Sequence, residues 1–231
     1  MVGADRWRFP AKRWPALVGV AAVALAGVVL LAVDPGGWFG RTDEAIGRWF
    51  VARRTSGWTS VFRVITDLGD GLLLTPLGVA VVLLLVGRPP RAWAAAGAFV
   101  AANLSATTLN RVVKAIVDRP RPPEADHLVF VDSPSFPSGH AAQAAAFWGG
   151  LAILVLLSDR STRQKIAAFL GAAVLVVAVG VSRVYLGVHW ASDVVASCLM
   201  TTAWFALLAA IATSGSVGLR SARSGGEGPP R

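Results

Sequence analysis

The sequence predicts an all-α protein: a polytopic membrane bundle of six transmembrane helices with an amphipathic segment on the outer surface. Three observations carry that prediction. Hydrophobic residues make up 55% of the 231 and charged residues only 15%, with a mean hydropathy of +0.59, whereas a soluble domain carries about 25% charged residues. The apolar residues are gathered into six runs near the ~20 residues that a helix needs to cross a bilayer. The basic residues are gathered between those runs, with the larger excess on one side. Length alone would allow one domain or two small ones, and the apolar content excludes disorder for most of the chain. Cys198 is the single cysteine, so neither an internal disulfide nor a C-x-x-C site can form.

The six-span domain covers residues 1–213. Its first span, 16–33, carries no charge. Arg6, Arg8, Lys12 and Arg13 before it could belong to a signal peptide. The run is longer than a signal core of about 7–15 residues, and Asp34-Pro35-Gly36-Gly37-Trp38 makes a poor cleavage site, so the span is expected to stay. The segment Asp43 to Thr66 mixes Ile46, Trp49, Phe50, Val51, Trp58, Val61 and Phe62 with Arg and Ser, the pattern of one or two amphipathic helices lying on a membrane surface. The remaining spans are expected near 65–87, 92–117, 139–157, 166–182 and 190–213. Span three is polar in its second half, and its Asn103, Ser105, Thr107, Thr108 and Asn110 suit helix packing. Residues 214–231 are rich in Gly, Ser and Arg and are expected to form a disordered cytoplasmic tail.

Six spans put both termini on one side. That side holds twelve basic residues against three acidic ones, and the other holds ten of each. Basic excess marks the cytoplasm, so both termini are expected inside an inner (plasma) membrane of bacterial type. Trp14, Trp38, Trp93 and Trp190 fall near span ends, where amphipathic rings prefer to sit. No internal repeat suggests a transporter.

Three polar stretches interrupt this apolar plan. Lys114 to Pro122 ends span three, Pro137-Ser138-Gly139-His140 begins span four, and Ser182 to Asp193 crosses the turn from span five to span six. The topology brings all three to the outer face. Lys114, Arg121 and Arg183 can together neutralise a phosphate dianion, with Arg binding two oxygens at once. Ser138 can cap span four, whose free N–H groups and dipole favour an anion, and Gly139 lets that anion approach the backbone. His140 and His189 can exchange protons near neutral pH. Asp193 lies four residues after His189, the spacing that puts both on one helix face. There it could hold one ring nitrogen as N–H and leave the other free to attack.

The three stretches together read K-x6-R-P, P-S-G-H and S-R-x5-H-x3-D. This resembles the type 2 phosphatidic acid phosphatase superfamily, which also includes vanadium haloperoxidases. All eleven defined positions match, from Lys114 to Asp193. The resemblance implies that His189 attacks phosphorus to form a phosphohistidine and that Asp193 orients it. His140 is implied to protonate the leaving oxygen and later to activate water. Lys114, Arg121, Ser138, Gly139 and Arg183 are implied to hold the phosphate oxygens. No metal or other cofactor is implied, and no carboxylate cluster suggests a two-metal site. Asp118, Glu124, Asp126, His127 and Asp132 read as a solvated loop.

The implied substrate is a membrane lipid phosphate or diphosphate of the isoprenoid diphosphate, phosphatidylglycerophosphate or phosphatidate class. Its headgroup would be discriminated by the loop Pro123 to Phe136 and the segment Asp43 to Thr66. Two alternatives stay open: a haloperoxidase-like enzyme, against which the six spans count, and a carrier or sensor that binds a lipid phosphate without hydrolysis. Nucleic acid is not expected as a partner, because Arg220, Arg223 and Arg231 are too sparse; the bilayer itself attracts such residues.

Overall fold

The computed structural model describes residues 14–33, 37–87 and 91–224. Among them are eight α-helices, a 3-10 turn at Glu124–Asp126 and no strand. The helices are α1 (Trp14–Val33), α2 (Trp38–Val51), α3 (Ser56–Asp67), α4 (Gly71–Val86), α5 (Arg91–Val117), α6 (Gly139–Leu156), α7 (Thr162–Tyr185) and α8 (Ala191–Ser224). Five of them, α1, α5, α6, α7 and α8, are each long and apolar enough to cross a bilayer. The 16-residue α4 counts toward a sixth span only if it is taken together with α3, from which it is bent by 42°. Arg6, Arg8, Lys12, Arg13, Arg88 and Arg231, on which the predicted topology partly rests, lie outside the described residues.

Local chemistry accounts for the boundaries. The second span was expected from 65, but Ile65 and Thr66 belong to α3. The chain breaks after Asp67, and Asp70 caps α4 by accepting from Leu72 N at 2.7 Å. An N-cap side chain of this kind satisfies a donor that the new helix leaves free. The fifth span starts at Thr162 rather than 166, because Ser161 and Gln164 form a capping box. The expected disordered tail is corrected in part: α8 runs through Ser224. Nothing between Thr213 and Ser224 removes a backbone N–H, since the next proline is Pro229, so a helix already nucleated in the span can propagate.

The spans pack through small residues. Ala21 and Ala24 of α1 meet Ala203 and Ala206 of α8, which lets the two backbones approach where apolar burial alone offers no driving force. Of the polar residues on α5, Asn103, Thr107 and Thr108 bond to carbonyls one turn back. Ser105 does so too, and it also accepts from Trp204 of α8 at 2.8 Å. Val23, Val29, Leu83, Leu84, Val174 and Val177 point outward, as lipid-facing side chains do.

The amphipathic segment is two helices, α2 and α3, lying across the end of the bundle where α5 and α7 finish and α6 and α8 begin. Phe50 and Phe62 pack on buried Tyr185, Leu186 and Val188, together with Leu128, Val129 and Val131. Arg54 donates twice to Tyr185 O, at 2.8 and 3.1 Å. Arg63 donates to Leu128 O at 3.1 Å. These contacts fix the turn after α7, which carries the first residue of the site.

Candidate active site

That turn is sharp. Leu186 N and Gly187 N bond back to Ser182 O and Val184 O, and Gly187 takes φ +76°, a conformation that costs an L-residue about 1–2 kcal/mol. His189 follows, 3% exposed. Its Nδ1 lies 3.3 Å from Asp193 Oδ2. Asp193 sits in the first turn of α8, where the helix dipole favours a carboxylate. Its Oδ2 also accepts from Trp190 N at 2.9 Å and from Ser135 Oγ.

The cations arrive from α5 and the loop after it. Lys114 stands in the last turn of α5. Asp118 ends that helix in the left-handed region, φ 44°, a conformation that Asp tolerates better than most. Pro120 and Pro122 then bias Arg119 and Arg121 toward extended backbone. Arg119 bonds Asp193 Oδ1 at 2.8 Å, and Arg121 Nη1 lies 3.2 Å from His189 Nε2. The two arginines therefore grip the His189–Asp193 pair from opposite ends.

This arrangement sets the tautomer of His189. Arg is only ever a donor, so Nε2 must present its lone pair and Nδ1 must carry the hydrogen given to Asp193. Arg121 directs its other donors to Val188 O, Ser133 O, Ser133 Oγ and Pro134 O. Lys114 Nζ also donates to Pro134 O.

Burial pushes the imidazole of His189 down from its ordinary 6.5 to about 3. The bond to Asp193 and that residue's charge act the other way, while Arg121 and Arg183 reinforce the fall. Burial also lowers Arg121, against Asp193 and Asp132. The unfolded chain binds a proton at His189 that the folded chain refuses. The contribution to stability is intact above about pH 6.5 and is lost as the pH falls toward about 3. The ring of His189 is expected to show no titration by NMR between about pH 8 and pH 5, where an ordinary imidazole charges. Titration with a midpoint near the ordinary value would contradict this environment.

Ser138 is the N-cap of α6 and accepts from Ala141 N at 3.5 Å. Ser138 N donates to Asp193 O at 3.2 Å, and Ser197 Oγ bonds both Ser138 O and Asp193 O, so the start of α6 is tied to the start of α8. A methyl group at Gly139 would meet nothing nearer than Asn110 Oδ1 at 3.8 Å, so packing does not demand the glycine. His140 Nε2 lies 3.3 Å from Asp70 Oδ2. Gly69 permits that approach: a Cβ there would lie 2.8 Å from His140 O and 2.6 Å from Val179 Cγ1. Arg183 is buried and donates to Thr66 Oγ1 at 2.9 Å, while its Nε has no partner. His140 lies within electrostatic reach of Arg183 and Arg121, and Lys114 within reach of Arg121, Asp193 and Arg183.

All eight residues singled out in the sequence thus stand at one end of the bundle. Sequence reasoning missed five that hold them: Arg119, Ser135, Asp70, Thr66 and Asp43. Asp43 was legible as an acid on the helix face shared with Phe39, Gly47 and Phe50, by spacings of four and seven. Among the described residues, no group of three or more His, Cys, Asp or Glu is placed to hold a metal ion.

Comparison with known proteins finds relatives over much of the chain. The model of the PAP2 superfamily matches residues 94–214. Phosphatidylglycerophosphatase B of Bacillus subtilis is 34% identical over 167 residues, which cover 66% of this chain and 74% of that one. Decaprenylphosphoryl-5-phosphoribose phosphatase of Mycobacterium tuberculosis is 36% identical over 128 residues, 53% of this chain and 60% of that one. The crystal structure of a transmembrane PAP2 type phosphatidylglycerolphosphate phosphatase from Bacillus subtilis superposes with a TM-score of 0.75 at 29% identity. It covers 83% of this chain and 95% of that one.

Proposed function

Because the chain belongs to the PAP2 superfamily, a family of membrane lipid phosphatases, we propose that it hydrolyses a lipid phosphate or diphosphate through a phosphohistidine on His189. The observation that carries this reading is the placement of His189, with Nδ1 3.3 Å from Asp193 Oδ2 and Nε2 3.2 Å from Arg121 Nη1, which puts the hydrogen on Nδ1 and the lone pair on Nε2. A bound phosphate competes for the Arg121 donor that now covers Nε2, so substrate binding itself uncovers the nucleophile. Nε2 then attacks the terminal phosphorus, and its bond to the leaving oxygen breaks, the lipid's own oxygen in a monophosphate and the bridging oxygen in a diphosphate. His140 gives that oxygen a proton. In the second half His140 takes a proton from water, the water oxygen attacks phosphorus, and the P–N bond breaks to return His189 and inorganic phosphate.

Lys114, Arg121, Arg183 and the N–H groups after Ser138 stabilise the charge that builds on the equatorial oxygens. Preorganised donors of this kind usually lower the barrier of such transfers more than any other single effect. The substrate class is that of the relatives, phosphatidylglycerophosphate or a prenyl phosphate, or a phosphatidate or isoprenoid diphosphate. The excess of basic residues near the termini supports a site on the outer face of a bacterial plasma membrane, with both termini cytoplasmic.

The test is phosphate release by the detergent-solubilised protein in EDTA. The panel holds phosphatidylglycerophosphate, a prenyl diphosphate, phosphatidic acid and a water-soluble phosphomonoester. Release from at least one lipid is expected without added metal. A folded protein that releases nothing from any of them would overturn the reading.

A further inference from the structure

We propose that Asp43, on the surface helix α2, is a positioning residue for the His189–Asp193 pair and acts through Arg119; the proposal rests on the phosphatase reading above. Four groups form one buried chain. His189 Nδ1 bonds Asp193 Oδ2, Asp193 Oδ1 accepts from Arg119 Nη1 at 2.8 Å, and Arg119 Nη2 donates to Asp43 Oδ2 at 3.0 Å. Ser192 braces the far end. Its N–H donates to Asp43 Oδ1 at 2.9 Å, its hydroxyl donates to Asp43 Oδ2, and Arg119 Nη1 donates to that hydroxyl at 2.7 Å. The three charged side chains are 0–5% exposed.

The order of charges explains what Asp43 does. Asp193 must present negative charge to His189 while that ring turns cationic on attack. A bare Arg119 on the other carboxylate oxygen would draw that charge away from the ring. Asp43 offsets Arg119, so the guanidinium still fixes the carboxylate in place without cancelling it. Packing alone does not account for such a device, since buried ions are costly to desolvate and an apolar replacement is often as stable or more so. Asp43 is also the sole acid of α2 that faces inward; Glu44 points outward and pairs with Arg48.

The experiment compares the full-length wild type with Asp43→Asn in detergent. Two readouts are taken: steady-state phosphate release and the ring-nitrogen NMR signals of His189. In the variant, kcat is expected to fall about 10- to 100-fold, the size typical of losing a partner behind a reactive group. KM is expected to stay within about twofold, because Asp43 touches no substrate. The His189 signals are expected to move from one tautomer, protonated at Nδ1, to a mixture. A folded variant with unchanged kcat, a loss confined to KM, or a fall in kcat with unmoved ring signals would each overturn the proposal. Should Asp43→Asn not fold, Ser192→Ala decides by the same readouts, as it deletes one hydroxyl from the same chain. If the wild type releases no phosphate yet the ring signals still shift in the variant, the phosphatase reading fails and the positioning role stands.

Discussion

Replacing His189 by Ala is expected to remove phosphate release almost completely, by about six orders of magnitude in kcat, as loss of a nucleophile does elsewhere. The fold should survive. The side chain is buried, but it contributes two hydrogen bonds rather than a packed apolar surface. Asp193 keeps Arg119, Ser135 and Trp190 as partners in the variant. The check is paired: rapid-quench capture of an acid-labile phosphoenzyme in the wild type, and its absence from the variant. Lipid binding should persist, since Lys114, Arg183 and the α6 N-terminus remain. A variant that still turns over would exclude His189 as nucleophile.

Gly187→Ala is expected to be the most damaging change outside the reacting groups. A side chain at φ +76° is strained, and its Cβ would overlap the Asp126 carbonyl oxygen and lie 2.7 Å from Arg54 Nη2. Both obstacles are fixed, since Asp126 N is bonded to Pro123 O and Arg54 to Tyr185 O. The turn must shift instead, at about 2–5 kcal/mol. His189 lies two residues on, and a displacement of about 1 Å at a reacting group costs on the order of 100-fold in rate. Thermal unfolding in detergent and kcat measure the two effects. A variant with unchanged Tm and kcat would show that the turn yields freely.

The all-helical membrane fold was legible in the sequence, and so was the gathering of the candidate residues at helix ends; the contacts that hold them were not. Lys114, Arg121, Ser138, Gly139, His140, Arg183, His189 and Asp193 are legible as candidates because they are polar residues at or beside helix ends in an otherwise apolar chain. Arg119 stands one proline away from Arg121 and looks like another loop cation. Only the tertiary structure turns it onto Asp193. Asp70 reads as part of an apolar span until the break after Asp67 makes it a cap and brings it to His140. The end of α8 was misjudged because Gly and Ser lower helix propensity by only about 1 kcal/mol or less each, too little to stop a helix that is already formed.

The reach of Asp43 along the chain has a consequence for biogenesis. Its partners Arg119 and Ser192 lie 76 and 149 residues later. At about 5–20 residues per second, the ribosome takes roughly 7–30 s between Asp43 and Ser192. For about the first half of that interval neither partner of Asp43 has been synthesised, and Ser192 follows only at its end. Meanwhile α2 must wait in water at the membrane surface, which its mixed polar composition allows. The His189–Asp193 pair and its braces are complete only once the chain has reached the start of the last helix, so a shorter nascent chain lacks them.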